Sequence, residues 1–448
     1  MPHQRCRART KITAAKTDMR HSPMRRCASE RYGLKQMSEN RRVVVTGLGA
    51  ISPVGNSAHE VWENLKNGKN GIGRITLFDT ENYKAKLAAE VKDFDPLNYM
   101  ERNDALRSDR YAQFAVAAAD QAVEDSGIAG TVAPEKFSVY FGSGIGGIST
   151  FETEHTKLLE KGPRRVSPLF IPMLIANMAA GLIAIKHDCR GSALPAVSAC
   201  ASGSNAIGEA MRMIRHGYAD AVISGGSEAP ISPSALSGFV NMHALSTSED
   251  PDAASLPFDK RRGGFVIGEG AVSLILEEYE HAKARGAKIY GELCGYGSTC
   301  DAYHITSPHP EARGGAQAMK DAMAEAGYTE SDSVYINAHG TGTSMNDSIE
   351  TKAIKLALGE DAARNALISS TKSMTGHMLG AAGAMEALVC LLALRDGIIP
   401  PTINLLEPDE ACDLNYVPCK AINAKADLAL SNSLGFGGHN ACLAFRKI

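Results

Sequence analysis

The sequence predicts an α/β fold in which helices alternate with largely buried central strands. Short apolar runs that end at glycines, at residues 42–49 and 221–226, have the length and composition of buried strands. Between such runs lie stretches with apolar residues at helical spacing, of which residues 110–126 are the clearest. The alternation returns in the second half of the chain, from a strand at residues 334–337 onwards. With 44% hydrophobic and 22% charged residues, the chain has the composition of a globular protein.

The elements follow one another in a regular order. Predicted strands cover residues 42–49, 137–141, 194–199, 221–226, 272–276, 334–337 and 367–370. Predicted helices cover residues 56–65, 110–126, 202–216, 278–284, 348–358 and 379–394. Two strand–turn–helix units have the same form, one leading from Val197 to Gly217 and the other from Ser369 to Gly397. Their similarity indicates an internal duplication of one α/β unit.

Charge and cysteine usage exclude several function classes. A net charge of −3 gives no reason to expect nucleic acid or an anionic membrane as a partner. The longest weakly polar run, residues 170–185, is shorter than the ~20 apolar residues that span a bilayer, so we expect no membrane insertion. Ten cysteines occur without any CxxC pair, which indicates neither a zinc site nor a disulfide framework. This usage is typical of a reducing compartment, and we expect a cytoplasmic protein.

The first 36 residues differ from the rest, with ten Lys and Arg against two acidic residues and almost no apolar periodicity. We expect residues 1–36 to be disordered and to carry no chemistry. One interpretation is a transit peptide, which would make the protein organellar. The other, which we favour because the leader has no clear amphipathic face, is a start codon placed too early, with Met37 as the natural start.

Cys200 lies where a predicted strand turns sharply into a predicted helix. The partial positive charge of a helix N-terminus favours the thiolate, so we expect a pKa lowered from ~8.5 into the range ~3.5–7.5. The backbone N–H groups there can also bind an oxyanion that forms when the sulfur attacks a carbonyl. This stretch by itself leaves open a buried structural cysteine, since free cysteines are often buried.

Two histidines follow later predicted strands. His339 lies in a glycine-rich turn after the strand at 334–337, and Lys372 and His377 follow the strand at 367–370. Each segment alone is compatible with a purely structural role. His339 could be a core histidine, and the segment with Lys372 and His377 could be a helix-capping turn with a solvated lysine. Strand ends of an α/β fold converge on one cleft, so we expect these groups to meet Cys200.

One thiol and two histidines suit acyl transfer combined with stabilisation of an enolate. A Cys–His pair can transfer an acyl group, and two N–H donors can hold one carbonyl oxygen while negative charge develops on it. A bound metal is disfavoured, because no carboxylate lies at ligand spacing beside the histidines.

The chain resembles the β-ketoacyl-acyl-carrier-protein synthases over about residues 41–448. The resemblance is carried by SACASGSNAIG (198–208), NAHGTGT (337–343), TKSMTGHMLGAAG (371–383) and LSNSLGFGGHN (430–440). The segments DAYHITSP (301–308) and GPRRVSP (162–168) are most similar to the type II synthase of dissociated fatty-acid synthesis. The resemblance implies a thiolase-like fold of five layers, α-β-α-β-α, from two duplicated halves, at residues 37–290 and 291–448, and normally a homodimer.

The resemblance also implies a reaction. Cys200 would take an acyl chain from acyl carrier protein as a thioester. His339 and His377 would hold the malonyl thioester carbonyl during decarboxylation, and Lys372 would set the electrostatics of that pair. The resulting carbanion would attack the Cys200 thioester and give β-ketoacyl-acyl-carrier protein and carbon dioxide. No cofactor would be required, because both substrates are carried on phosphopantetheine.

Other roles are implied residue by residue. The backbone N–H groups of Cys200 and Phe436 would form the oxyanion hole, and Phe436, between Gly435 and Gly437, would act as a gate. The remaining implied residues are Thr306, Thr341 and Thr343 for phosphopantetheine, Ile145 and Phe239 for the acyl pocket, Glu386 for support, and Arg164 and Arg165 for carrier-protein docking. Plain core remains an alternative for Ile145 and Phe239, and a solvated surface for the two arginines.

The sequence departs from the family pattern at four places. Leu434 replaces a common phenylalanine, His439 a common threonine, and Gly342 a frequent serine, while Val272 occupies the place of a usual glycine. Leu434 and His439 put the packing of the gate in doubt, and Val272 could crowd its neighbours.

Four alternatives to a fatty-acid synthase remain. A ketosynthase of a polyketide-type pathway would use the same residues, whereas a non-catalytic chain-length-factor-like subunit would lack the nucleophilic cysteine. A thiolase would carry a second catalytic cysteine near the C-terminus, where Cys442 lies close to the expected place. The run GSGIGG at residues 142–147 matches GxGxxG and admits a dinucleotide-binding oxidoreductase, although it lies about 100 residues past the first strand and no helix clearly follows it before Glu152.

Overall fold

The computed structural model describes residues 41–448, so the predicted basic leader lies outside the described residues. The strands are β1 (Val43–Ile51), β2 (Gly73–Arg74), β3 (Leu87–Ala88), β4 (Phe137–Gly142), β5 (Ala193–Ala196), β6 (Ala221–Glu228), β7 (Gly270–Glu278), β8 (Gly291–Cys300), β9 (Val334–Asn337), β10 (Leu367–Ser369), β11 (Ile398–Ile399), β12 (Ile422–Asn423), β13 (Leu428–Gly435) and β14 (His439–Arg446).

The helices alternate with these strands, as the sequence predicts. They are α1 (Ala58–Lys66), α2 (Arg102–Ala105), α3 (Arg110–Ser126), α4 (Ile148–Lys161), α5 (Phe170–Leu174), α6 (Met178–Lys186), α7 (Ser202–Arg215), α8 (Pro233–Asn241), α9 (Tyr279–Ala284), α10 (Arg313–Glu325), α11 (Asn346–Leu358), α12 (Glu360–Asn365), α13 (Lys372–Thr375) and α14 (Ala382–Asp396). Among the described helices, none is both long enough and apolar enough for a membrane span.

Ten of the strands form one sheet that consists of two similar sets of five. The strand order is β10-β9-β13-β14-β8-β1-β7-β6-β4-β5. In one set, β4 is parallel to β5 and β6, and β6 is antiparallel to β7. In the other set, β9 is parallel to β10 and β13, and β13 is antiparallel to β14. The matching order and directions confirm the predicted duplication.

The two sets meet at a short junction between β1 and β8, where Val44 pairs with Glu292 and Val45 with Gly291. The described residues belong to a single compact unit. The division of the chain at residue 290 stays a prediction.

Alternate residues of the strands pack into different layers, because successive side chains of a strand point to opposite faces. On β7, Val272 and Leu274 belong to the core that contains α7 and α14. Ala271 and Ile275 belong to a second core with α3 and α6. The other set of strands divides its side chains in the same way between the central core and a third core with α10 and α11. This arrangement confirms the five layers.

Helix α14 occupies the middle layer, and every residue from Ala382 to Leu394 is buried. A helix that is apolar on all sides is stable only inside a core. It begins three residues later than predicted, because residues 379–381 form a 3₁₀ turn in which Leu379 has a φ of 43°. That turn leads directly from His377 into the middle layer.

Candidate active site

Cys200 lies on a single 3₁₀ turn, Ala199–Ala201, between β5 and α7. The preceding residue, Ala199, has a φ of 50°, a left-handed conformation that L-residues rarely adopt. The Ser202 hydroxyl stabilises the turn, since it accepts a hydrogen bond from Ser198 N at 2.9 Å and donates one to Ala199 O at 2.7 Å. The thiol is buried at the end of this turn, with 8% of the residue exposed.

The structure brings Cys200 and both predicted histidines together. The Cys200 Sγ and a ring nitrogen of each of His339 and His377 all lie within 4.8 Å of one another. The two imidazole rings are nearly perpendicular, with 5.2 Å between their centroids. The residues come from distant parts of the chain and meet because each follows a strand end on the same side of the fold.

Each histidine is fixed through its backbone. The N–H groups of His339 and Gly340 donate to the two carboxylate oxygens of Glu350, each at 2.7 Å. His377 N donates to Val266 O at 2.7 Å. Burial raises the pKa of Glu350 to about 7, and the two backbone donors oppose this shift. A carboxylate from α11 thus holds the turn after β9 in place.

Lys372 and Glu386 form a buried ion pair behind the histidines, with 2% and 1% of their side chains exposed. Burial lowers the pKa of His339 well below its usual value, and the Lys372 charge lowers it further. The same two causes, in the same order, lower the pKa of His377. Both imidazoles are therefore neutral at pH 7, and each carries one N–H.

The thiol is also neutral in the free chain. Burial raises the pKa of Cys200 to about 12, against the opposing effects of the Lys372 charge and a hydrogen bond from the Phe436 N–H. The lowered pKa that the sequence led us to expect is therefore wrong. The helix N-terminus is present, but the loss of hydration around the thiol outweighs the groups that favour the thiolate.

A cavity of about 340 Å³ opens onto these three groups. Its lining includes these residues to which the sequence assigned a role: Ile145, Phe239, Thr306, Thr341, Thr343, Gly435 and Phe436. Lys372, Glu386 and Gly437 do not line it. Apolar residues that the sequence did not single out complete the wall, among them Met242, Phe265 and Leu379. A largely apolar chamber that ends at a thiol suits an acyl chain.

The gate residues 435–438 form the turn of the β13–β14 hairpin. Gly437 and Gly438 have left-handed φ values of 87° and 76°. At Gly435 a Cβ would lie only 3.3 Å from Cys200 N, so glycine permits the close approach of this turn to Cys200. Phe436 is half-buried at the cavity wall, and Gly437 N donates to Ile305 O at 2.7 Å.

Comparison with known proteins agrees with this geometry. The N-terminal domain of β-ketoacyl synthases matches residues 40–282, and the C-terminal domain of β-ketoacyl synthases matches residues 290–406. The chain belongs to the β-ketoacyl synthase family. It is 52% identical over 411 residues to a 3-oxoacyl-[acyl-carrier-protein] synthase 2 of Synechocystis sp., a match that covers 91% of this chain and 99% of the relative.

Further relatives extend the comparison. A 3-oxoacyl-[acyl-carrier-protein] synthase 2 of Staphylococcus aureus is 50% identical over 412 residues, which are 92% of this chain and 99% of the relative. The crystal structure of a β-ketoacyl synthase from Burkholderia phymatum has a TM-score of 0.85 at 36% identity and covers 91% of this chain and all of its own. The ishigamide ketosynthase/chain length factor has a TM-score of 0.86 at 36% identity, and the match covers 92% of this chain and 100% of that chain.

The departures from the family pattern are accommodated. Leu434 lines the cavity. The His439 ring lies where a Cβ on Gly437 would be 3.0 Å away, so it packs under the gate. Val272 is fully buried in the central core, opposite Ala50 and Gly226.

Two alternatives fail on contacts. The glycine-rich run after β4 cannot offer its amides to a phosphate, because Gly144 N and Ile145 N already donate to the buried Glu228 carboxylate. Cys442 lies in the core with α10 and α11 rather than in the cavity. A dinucleotide site and a thiolase-type second cysteine are both inconsistent with these positions.

Glu228 and Glu350 are the site residues that sequence reasoning missed. Each is fully buried and accepts backbone hydrogen bonds from a turn that lines the cavity. A signal exists for Glu228, since an acid that ends an apolar strand requires a buried partner. Arg164 and Arg165 lie outside the cavity, exposed on a short 3₁₀ turn after α4, and neither forms an ion pair with the described residues.

Proposed function

We propose that this chain elongates fatty acids by decarboxylating Claisen condensation of malonyl-acyl-carrier protein with an acyl group held on Cys200. The observation that carries the proposal is the meeting of one thiol and two neutral imidazoles within 4.8 Å at the end of an apolar cavity. The relatives named 3-oxoacyl-[acyl-carrier-protein] synthase 2, at 50–52% identity, support the same reaction.

In the first half-reaction the Cys200 sulfur attacks the acyl thioester. The new C–S bond forms while the bond to the carrier's phosphopantetheine sulfur breaks. The proton of the neutral thiol passes to a neutral imidazole within 4.8 Å and from there to the leaving thiolate. The N–H groups of Cys200 and Phe436 stabilise the transient oxyanion, a contribution of about 10²–10³ in rate for each such donor.

In the second half-reaction His339 and His377 donate their N–H groups to the malonyl thioester oxygen. The C–C bond to the carboxylate breaks and carbon dioxide leaves. The electron pair of that bond passes into the enolate. The nearby Lys372 charge stabilises this anion and keeps the imidazoles neutral. The enolate carbon then attacks the Cys200 thioester, the bond between the acyl carbon and the sulfur breaks, and the Cys200 thiolate takes up a proton from solvent as β-ketoacyl-acyl-carrier protein departs.

The substrates arrive on acyl carrier protein, so the chain itself needs no cofactor. Arg164 and Arg165 supply exposed positive charge for an acidic carrier, and Thr306, Thr341 and Thr343 contact the phosphopantetheine arm. One related structure is a type II polyketide acyl-carrier protein in complex with its ketosynthase, at 35% identity and a TM-score of 0.85. That assembly is the precedent for carrier docking here.

We further propose that the chain is a homodimer. Strand β5 is at the edge of the sheet, and Leu194 within it and Val197 directly after it are 48% and 59% exposed. An exposed apolar edge strand is a template for pairing with another chain.

Cysteines without disulfide bonds among the described residues fit a cytoplasmic or otherwise reducing location.

The test is an elongation assay with malonyl-acyl-carrier protein and acyl-carrier proteins of graded chain length. We expect one two-carbon extension per cycle and, by peptide mass, an acyl thioester on Cys200. Cys200→Ala should abolish elongation, and elongation by that variant would refute the assignment. Repeated additions without reduction of the product would instead indicate the polyketide-type alternative.

A further inference from the structure

The carboxylate of Glu228, at the end of β6, is fully buried and receives four hydrogen bonds. Its Oε1 accepts from Ser143 Oγ at 2.9 Å and from Ile145 N at 3.1 Å. Its Oε2 accepts from Gly144 N at 2.6 Å and from Gly380 N at 3.0 Å. A single side chain therefore joins two separate segments of the cavity wall.

The two segments have different roles. Residues 143–145 follow β4 and bring Ile145 to the cavity wall. Gly380 belongs to the turn that leads from His377 into α14, directly after Leu379, which also lines the cavity. Leu379 has a left-handed φ of 43°, a conformation that an L-residue keeps only where the surroundings impose it. The Glu228 carboxylate is one such constraint.

The backbone packs tightly around this carboxylate. A Cβ on Gly380 would lie 2.6 Å from Glu228 Oε2 and 2.4 Å from Gly144 N. A Cβ on Gly144 would lie 2.9 Å from the same oxygen. The two segments thus meet at the carboxylate, and neither glycine has room for a side chain.

We propose that Glu228 is a positioning residue that determines acyl-chain preference by holding Ile145 against the acyl chamber. The inference rests on the proposed condensation reaction and adds a residue that touches neither substrate nor nucleophile in that reaction. Loss of the hydrogen bond to Ile145 N frees the loop, so that an apolar side chain no longer restricts the chamber and longer chains are accepted.

Replacing Glu228 with glutamine distinguishes the contributions of the two segments. Each carboxylate oxygen accepts one or more backbone N–H groups, so an amide NH₂ faces a backbone donor in either orientation. When the NH₂ faces Ser143, the hydroxyl can accept from it, and the amide oxygen still serves Gly144 and Gly380. Ile145 N then loses its acceptor, and the Ser143 hydroxyl accepts from the amide instead of donating to Oε1. Glu228→Gln therefore disturbs the acyl wall and spares the turn after His377.

The experiment measures kcat/KM for elongation with acyl-carrier proteins of graded length, and separately the decarboxylation of malonyl-carrier protein by the acyl-free enzyme. For Glu228→Gln we expect the ratio of long-chain to short-chain kcat/KM to rise by about tenfold. Malonyl decarboxylation should stay within about threefold of wild type. Ser143→Ala removes one donor from Oε1 and also the acceptor of Gly146 N, at 3.1 Å, so it loosens the same loop and should shift the ratio in the same direction by a smaller factor.

Ser224→Ala is the matched control, because Ser224 is equally buried on the same strand and its hydroxyl has no partner among the described residues. Its chain-length ratio should equal that of wild type. An unchanged ratio in Glu228→Gln and Ser143→Ala overturns the inference, as does an equal loss for all chain lengths and for decarboxylation. If Glu228→Gln does not fold, Glu228→Asp, which keeps the charge but shortens the reach to Ile145 N, is compared with Ser224→Ala instead. Failure of the wild type to elongate would instead refute the proposed function.

Discussion

Replacing Lys372 with methionine should damage stability and catalysis together, and a second substitution should separate them. The Lys372 and Glu386 side chains are 2% and 1% exposed, so methionine leaves a buried carboxylate without its cation. Removing one partner of a buried pair costs about 3–5 kcal/mol of unfolding free energy. The double variant Lys372→Met/Glu386→Leu removes both charges, and its stability should return to about the wild-type value.

Catalysis should not return with stability. In both variants the enolate loses the cation that stabilises it, and the imidazoles lose the charge that, together with burial, lowers their pKa. We expect malonyl decarboxylation to fall by about 10² or more in the single and the double variant, comparable with the loss of one oxyanion donor. The two losses therefore have different causes even though one side chain produces both.

The assay pairs urea unfolding with carbon dioxide release from malonyl-carrier protein by acyl-free enzyme. Arg110→Met is the control, since it breaks another buried-carboxylate pair, with Glu269, whose side chain is 1% exposed. That variant should lose stability and keep decarboxylation. If the Lys372→Met/Glu386→Leu variant regains decarboxylation along with stability, Lys372 is only structural and the electrostatic reasoning is refuted.

Three further predictions follow from the site. Because burial and Lys372 hold the pKa of His339 and His377 well below its usual value, protonation of the imidazoles should cause no loss of decarboxylation as the pH falls from about 8 to about 6.5. Glu350, with a pKa of about 7, titrates in the same range, so the pH profile is measured in wild type and in Glu350→Gln, and a loss near pH 6.5 that persists in Glu350→Gln would contradict neutral donors. Dialysis against EDTA should leave elongation unchanged, and a loss that zinc restores would contradict metal-free chemistry. Arg164→Glu with Arg165→Glu should raise KM for acyl-carrier protein by about tenfold without affecting acyl-pantetheine, whereas exposed Arg364→Glu should change neither.

The α/β alternation and the strand-end residues could be predicted because they depend on local patterns. An apolar run that ends in glycines reveals β6 directly, and an apolar run that precedes a stretch of helical periodicity reveals β9. The β13–β14 hairpin was less visible, because β13 contains Ser431, Asn432 and Ser433, which are polar yet buried. Such residues resemble a turn in the sequence. In the fold, a buried hydroxyl of β13 can find a hydrogen-bond partner on another element. The Ser433 hydroxyl, for example, is hydrogen-bonded to the Ser204 hydroxyl of α7 at 2.8 Å.

The buried carboxylates illustrate a second limit. Glu228 and Glu350 lie on a strand and a helix whose sequences do not indicate what they contact. Their donors are backbone N–H groups of turns, and a backbone donor leaves no signature in residue type. The sequence could indicate which side chains meet at the cavity, but the groups that hold those side chains in place are seen only in the folded turns.

The pKa of Cys200 shows why local reasoning about reactivity fails at this site. The adjoining helix terminus can be read from the sequence, whereas the burial that raises the thiol's pKa to about 12 depends on residues from both halves of the chain. Because the thiol and both imidazoles are neutral at rest, no ion pair has to be broken when an apolar acyl chain enters. Charge develops only as the substrate carbonyl becomes an oxyanion beside Lys372 and the backbone N–H donors. The free enzyme therefore carries a neutral thiol, which gives up its proton as the sulfur attacks the acyl thioester.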